Sequence, residues 1–99
     1  MIRLTRDDGA LTLEITGEID LANADELEET FEDAIDSSVT EAVFDLTGVE
    51  YLDSAGVRVL FVFADRLRTR QIGMRVIAPP GSRARRVLEV AGYPFDAPG

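Results

Sequence analysis

Apolar and polar residues alternate at the start of the chain, Ile2 and Leu4 against Arg3 and Thr5, then Leu11, Leu13 and Ile15 against Thr12, Glu14 and Thr16. A period of two predicts strands with one buried face, and Asp7-Asp8-Gly9 between them predicts the turn of a hairpin. Gly17-Glu18-Ile19-Asp20 is expected to end the second strand in a loop. The period then becomes helical. Ala24, Leu27, Phe31, Ala34 and Ile35 form one stripe, and Asp25, Glu26, Glu28, Glu29, Glu32 and Asp33 take the remaining positions. Asn23 is placed to cap this helix, with Glu26 completing a capping-box pattern. Residues 42–46 are nearly continuously apolar, as expected of a strand inside a partly parallel sheet. A second helix should run over 54–70 and a fourth strand over 74–78, closed by Pro79-Pro80-Gly81. Ser82 then caps a third helix that turns Ala84, Val87, Leu88 and Ala91 inward and stops at Gly92. The predicted order is β-β-α-β-α-β-α, an α/β fold with a mixed four-stranded sheet packed with about three helices. The chain has 99 residues and no repeat, low-complexity tract or linker, so 1–99 reads as one domain.

The second helix carries more apolar residues than one face needs. At about 100° per residue, Val57, Leu60, Phe61, Ala64 and Leu67 share the side expected to dock on the sheet. Val59, Val62 and Phe63 fall opposite, among Arg58, Arg66 and Arg70. An apolar patch rimmed by arginine is typical of an interaction surface, which makes Arg58, Val59, Val62 and Phe63 candidate partner-binding residues. The alternative is that the tail, or a small rotation of the helix, covers them.

Composition removes most catalytic chemistries. Histidine, cysteine and lysine are absent, and all ten basic residues are arginine. A Ser-His-Asp triad, a thiol nucleophile, a zinc site of the usual ligands, a P-loop lysine and a Schiff base are therefore excluded. The carboxylates gather on one helix rather than in a mixed pocket, so a non-enzyme without cofactor or metal is expected. The longest apolar run, 57–64, contains Arg58 and is too short to span a bilayer, and residues 1–4 begin no signal peptide. The expected location is the cytoplasm.

The net charge of −9 is unevenly spread. Residues 1–53 hold sixteen acids and two arginines (−14), and residues 54–99 hold eight arginines and three acids (+5). The overall sign argues against nucleic-acid binding. The acidic half is either a solvated helix face or a surface that speeds docking of a basic partner. Gly81-Ser82-Arg83-Ala84-Arg85-Arg86 is the one local candidate for anion binding, its alternative being plain solvated arginine.

Residues 49–56, V-E-Y-L-D-S-A-G, carry the most specific chemistry. Ser54 follows Asp53 at the expected first turn of the second helix. A helix N-terminus offers unpaired amides and partial positive charge, so a phosphate added there could be held locally. Ser54 is either a plain helix cap or the acceptor of a phospho-switch that adds roughly −1.5 to −2 charges beside Asp53.

The chain resembles STAS domains of the anti-sigma factor antagonist family over nearly its whole length. The matching segments are L-T-L-E-I-T-G-E-I-D, F-D-L-T-G-V-E-Y-L-D-S-A-G and M-R-V-I-A-P-P-G-S-R-A-R-R-V-L-E-V-A-G. The resemblance implies that Ser54 is phosphorylated by an ATP-binding anti-sigma factor with serine kinase activity and dephosphorylated by a PP2C-type phosphatase. The unphosphorylated form would bind the kinase and free a sigma factor. Asp53 would position the serine or touch the partner, and Asp20 would lie nearby and take part in binding. Two departures stand out. Ala55 occupies the place where many relatives have a second hydroxyl. The family usually continues past the third helix, whereas here only residues 93–99 follow, which leaves a truncated chain, the covering of the core and a homodimer open. The resemblance also admits another class of function, an accessory STAS subunit bracing a transporter or its ATPase.

Overall fold

The hairpin forms where the alternation predicts it. Strands β1 (Ile2–Asp7) and β2 (Ala10–Ile19) pair antiparallel, from Ile2 opposite Ile15 to Asp7 opposite Ala10. Asp8 (φ 49°) and Gly9 (φ 87°) join them. A two-residue loop with both φ values positive has the twist that paired strands require. The computed structural model describes residues 2–93. Helix α1 (Ala24–Ala34) crosses over to β3 (Glu41–Leu52), parallel to β2, and α2 (Ser54–Thr69) crosses over to β4 (Gly73–Ile77), parallel to β3. The sheet order is β1-β2-β3-β4, and α3 (Arg83–Val90) packs against β3. This is the mixed four-stranded sheet with three helices that the pattern predicts.

Two strands run further than expected. β2 continues through Gly17 to Ile19, and β3 continues through Thr47-Gly48 to Leu52. The glycines that read as breaks are places where the ladder slips rather than ends. The β2–β3 register shifts between Glu14 and Thr16 and again between Gly17 and Glu18. Gly17 sits at φ 88°, and a side chain at Gly48 would stand 2.7 Å from the Thr16 methyl. Such irregularities let a strand bend without leaving the sheet.

One face of the sheet carries the core. Leu11, Leu13 and Ile15 on β2 and Ala42, Phe44 and Leu46 on β3 are all buried. Leu11 stands opposite Ala42 and Leu13 opposite Phe44, so they line one side of the pleat. Helices α1 and α2 cover this side. The rings of Phe31 (α1) and Phe63 (α2) stack with centroids 4.1 Å apart, and Phe44 lies 5.4 and 5.6 Å from them. The α1 stripe buries Ala24, Leu27, Phe31 and Ala34 as predicted, with Ile35 partly buried. The other side of the pleat is mostly polar, with Val43 and Ile77 among its residues, and there Arg3 pairs with Glu14 at 3.6 Å and Arg75 with Glu41 at 4.0 Å.

The orientation of α2 differs from the wheel. Its buried residues are Gly56, Val59, Leu60, Phe63 and Leu67, whereas Phe61 is 38% exposed and Val57, Val62 and Ala64 are half-buried. Val59 and Phe63 are therefore core, not partner surface. The close packing of Gly56 turns this face inward. A Cβ there would lie 2.5 Å from Leu52 Cδ1, 2.7 Å from Ile19 Cγ2 and 2.9 Å from the Ile19 carbonyl oxygen. Tyr93 packs edge-on against the exposed Phe61 ring, 5.8 Å between centroids. The rest of the expected covering tail, residues 94–99, lies outside the described residues.

Capping also differs. The Asn23 side chain does not cap α1. Its Oδ1 accepts the Asp20 N–H at 2.9 Å and its Nδ2 donates to the Glu18 carbonyl at 2.7 Å, which folds the β2–α1 loop on itself. Ser82 does cap α3, its hydroxyl accepting the Arg85 N–H at 3.2 Å. On α3, Ala84 and Leu88 are buried and Val87 half-buried, but Ala91 is exposed, one residue past the helix end.

The two readings of α2 separate on stability. Phe63→Ala should destabilise the protein by about 3–5 kcal/mol, a large-to-small change in a packed core, while Arg58→Ala leaves the midpoint of urea unfolding unchanged. Comparable small shifts for both would return Phe63 to the surface.

Candidate functional site

The first turn of α2 is built around Asp53. Its backbone is extended (φ −99°, ψ −176°), as an N-cap requires. Oδ1 accepts the N–H groups of Ala55 at 2.9 Å and Gly56 at 3.0 Å, and the Asp53 carbonyl accepts the Val57 N–H at 3.0 Å. Oδ2 accepts the Leu21 N–H at 3.3 Å, and the Asp53 N–H donates to the Ile19 carbonyl at 3.2 Å. One carboxylate thus closes the helix start and ties it to the β2–α1 loop.

That loop carries Asp20. Its Oδ1 accepts the N–H groups of Ala22 at 3.0 Å and Asn23 at 3.3 Å. The next residue, Leu21, is 78% exposed, an apolar side chain standing free beside the junction. Asp20, Asp53 and Ser54 therefore lie at one loop–helix junction, tied by the bonds of Asp53 to Leu21 and Ile19. Arg58 is exposed one turn along α2, on the same side as Ser54 by helical spacing. Val62 is half-buried further along, and Val59 and Phe63 do not join the site.

Ser54 is exposed, and its hydroxyl has no hydrogen bond among the described residues. The capping role that a serine in this sequence position could play belongs to Asp53. The same carboxylate occupies the amides of Ala55 and Gly56, so these do not remain free to hold a phosphate. A charged group on Ser54 would instead project from the surface, flanked by the carboxylates of Asp53 and Asp20. No imidazole, thiol or lysine exists in the chain to activate the hydroxyl, and among the described residues no cluster of acids has the arrangement of a metal site.

Leu21 and Gly56 are site residues that pattern reasoning missed. The signal for Leu21 was an apolar side chain directly after the acidic loop residue. For Gly56 it was a glycine inside the first turn of an otherwise sound helix, where glycine normally weakens the structure.

Other sequence candidates fall elsewhere. Arg66 bridges α2 to α1, reaching Glu28 at 2.7 Å and Glu32 at 2.6 Å, instead of rimming an apolar patch. A groove of about 770 Å³ between these helices is lined by Glu28, Glu29, Glu32, Asp65 and Arg66, and contains neither Ser54 nor Asp20. In the 81–86 segment, Arg85 is engaged with the Ala78 carbonyl at 3.1 Å and Glu89 at 3.3 Å. Among the described residues no helix is long and apolar enough to cross a membrane.

The division of labour between neighbours is testable. Asp53→Ala should destabilise the protein by about 0.5–2 kcal/mol, the usual cost of losing an N-cap, and speed amide exchange at Leu21, Ala55 and Gly56. Ser54→Ala should do neither. An equal loss in Ser54→Ala would make the serine a cap after all.

Comparison with known proteins agrees with this geometry. The family model of the STAS domain matches residues 1–96. A protein of Bordetella bronchiseptica named "Putative anti-sigma factor antagonist BtrV" is 34% identical over 94 residues, covering 93% of this chain and 80% of that one. The anti-sigma-F factor antagonist RsfB of Mycobacterium tuberculosis is 34% identical over 84 residues, 85% of this chain and 67% of its own length. The crystal structure of an anti-sigma factor antagonist from Mycobacterium paratuberculosis superposes with a TM-score of 0.84 at 28% identity, covering 95% of this chain and 79% of the other. With the strand order, the D-S-A-G turn and the Asp20 loop all in place, the chain belongs to the STAS domain family, among the anti-sigma factor antagonists.

Proposed function

We propose that this chain is an anti-sigma factor antagonist that works by partner switching and has no catalytic step of its own. In its unphosphorylated form it binds an anti-sigma factor that is also a serine kinase, and phosphorylation of Ser54 releases it. A PP2C-type phosphatase resets the cycle. The observation that carries this reading is the exposed, unbonded hydroxyl of Ser54 beside a helix cap supplied entirely by Asp53. A kinase can reach such a hydroxyl without disturbing the fold.

The physics of release follows from what surrounds the serine. A phosphate brings roughly −1.5 to −2 charges, and the β2–α1 loop at this junction carries the Asp20 carboxylate and the exposed Leu21 side chain. A partner packed over this junction would have to desolvate the phosphate or face its repulsion. Coupling of about 2–3 kcal/mol corresponds to thirty- to a hundred-and-fifty-fold in affinity, enough for a switch. Arg58, one turn on, is the cation closest in helical spacing and contributes to partner contact when no phosphate is present. Ala55 supplies no second hydroxyl, so the switch has a single acceptor at this turn.

The test compares Ser54→Ala, Ser54→Glu and the unaltered chain for binding to the anti-sigma factor, with mass spectrometry for phosphate on Ser54 after incubation with that factor and ATP. Ser54→Ala should bind as the unaltered chain does and accept no phosphate. Ser54→Glu should bind about thirtyfold or more weakly, by the same arithmetic. Equal binding by all three would sink the switch and favour a bracing role like that of transporter-associated STAS domains.

A further inference from the structure

The cleft between β1 and α1 is fastened at one end only. Arg6 on β1 donates from Nη2 to the Ala34 carbonyl at 2.6 Å and pairs with Asp36 at 3.5 Å, tying the strand to the end of α1. Toward the start of α1 the two elements part, and a groove of about 410 Å³ opens over Ile2, Ile15, Ile19 and Leu27. That volume lies within the range of sites that enclose organic groups, roughly 300–1,000 Å³. Its floor is deeply buried apolar surface: Ile15, Ile19 and Leu27 are 2%, 1% and 3% exposed.

The rim is acidic. Glu18 and Glu26 are exposed on it, and neither carboxylate has an ion-pair partner among the described residues. Asn23, also on the rim, is engaged in holding the loop. β1 is an edge strand, so one side of its backbone is unpaired. Leu4, 42% exposed and on the same side of the strand as Ile2, continues the apolar strip along that edge.

We propose that this groove seats a protein segment in which aliphatic side chains alternate with arginine or lysine. The aliphatic groups fill the floor and the cationic ends reach Glu18 and Glu26. The groove shares Ile19 and Asn23 with the junction that Asp53 fastens, so one partner can cover both the groove and Ser54. Only that last identification, whose segment it is, rests on the proposed function. The groove's preference rests on its own walls.

The test is a titration with short capped peptides, followed by backbone amide shifts of the labelled protein. The probe alternates arginine with leucine; one comparator replaces leucine by serine, another replaces arginine by glutamate. The probe should bind saturably and shift the amides of Ile2, Ile15, Ile19, Leu27 and Thr30, and each comparator should bind at least tenfold more weakly. Thr30→Trp, which fills the groove from α1, and the pair Glu18→Arg with Glu26→Arg should each weaken the probe about tenfold, or ~1.4 kcal/mol. Asp33→Arg with Glu50→Arg changes the net charge equally but away from the groove, and should cost no more than twofold. If Thr30→Trp lowers the unfolding midpoint, Thr30→Phe takes its place.

Equal binding of the serine peptide would mean nonspecific attraction to an acidic protein and would overturn the proposal. Shifts centred elsewhere, or shifts at the groove on concentrating the protein alone, which would make a second copy the occupant, would also overturn it. These outcomes do not depend on Ser54. A probe that seats in the groove while Ser54→Glu still binds the anti-sigma factor would sink the switch and leave the groove standing.

Discussion

The first turn of α2 stands against the ends of β2 and β3 at a distance that only glycine permits at position 56. Even a methyl group there would meet Leu52, the Ile19 side chain and the Ile19 carbonyl at 2.5 to 2.9 Å. Three consequences follow from this approach. The helix rotates so that Val59, Leu60 and Phe63 face the sheet, and Phe63 reaches Phe31 at stacking distance. The Asp53 carboxylate comes within reach of both its own helix and the Leu21 amide. Ser54, with its capping role taken, is left outward and unbonded. Core packing and the presented hydroxyl are thus products of one contact.

The charges act on two scales. Individual ion pairs on the surface, such as Arg3 with Glu14 or Arg68 with Asp65, contribute little in water. Arg66 is better placed, because one guanidinium holds two glutamates of α1 and fixes the α1–α2 spacing above the stacked phenylalanines. The hydrogen bond it donates to Glu32 and the negative charges of Glu28 and Glu32 raise its pKa above the ordinary arginine value. What these pairs leave unneutralised is the acidic surface of the first half of the chain. Its long-range effect is on association, favouring basic partners and speeding their encounter.

Some elements were legible because their signals are local. The Asp8-Gly9 turn, the α1 stripe and the Ser82 cap depend on neighbours a few residues away, and each formed as its pattern predicts. The Asn23 cap failed because a competing partner, the Asp20 amide, came from the loop's own fold. β3 outran its prediction because Gly48 meets Thr16 on another strand, and a strand continued by such a partner leaves no trace in its own alternation. The junction of Asp20, Asp53 and Ser54 was expected from family resemblance rather than from spacing, since 33 residues separate Asp20 from Asp53.

By itself the sequence determined the element order, the acid–base asymmetry, the lack of histidine, cysteine and lysine, and the resemblance that marks Ser54. Those are properties of residue type and of periods shorter than one element. Tertiary structure decided which face of α2 is core, which of two adjacent residues caps it, and where an apolar groove remains open. A helix wheel fixes angles between residues but not the direction of the sheet. That direction was set by the closest approach between elements distant in sequence, Gly56 against Ile19 and Leu52.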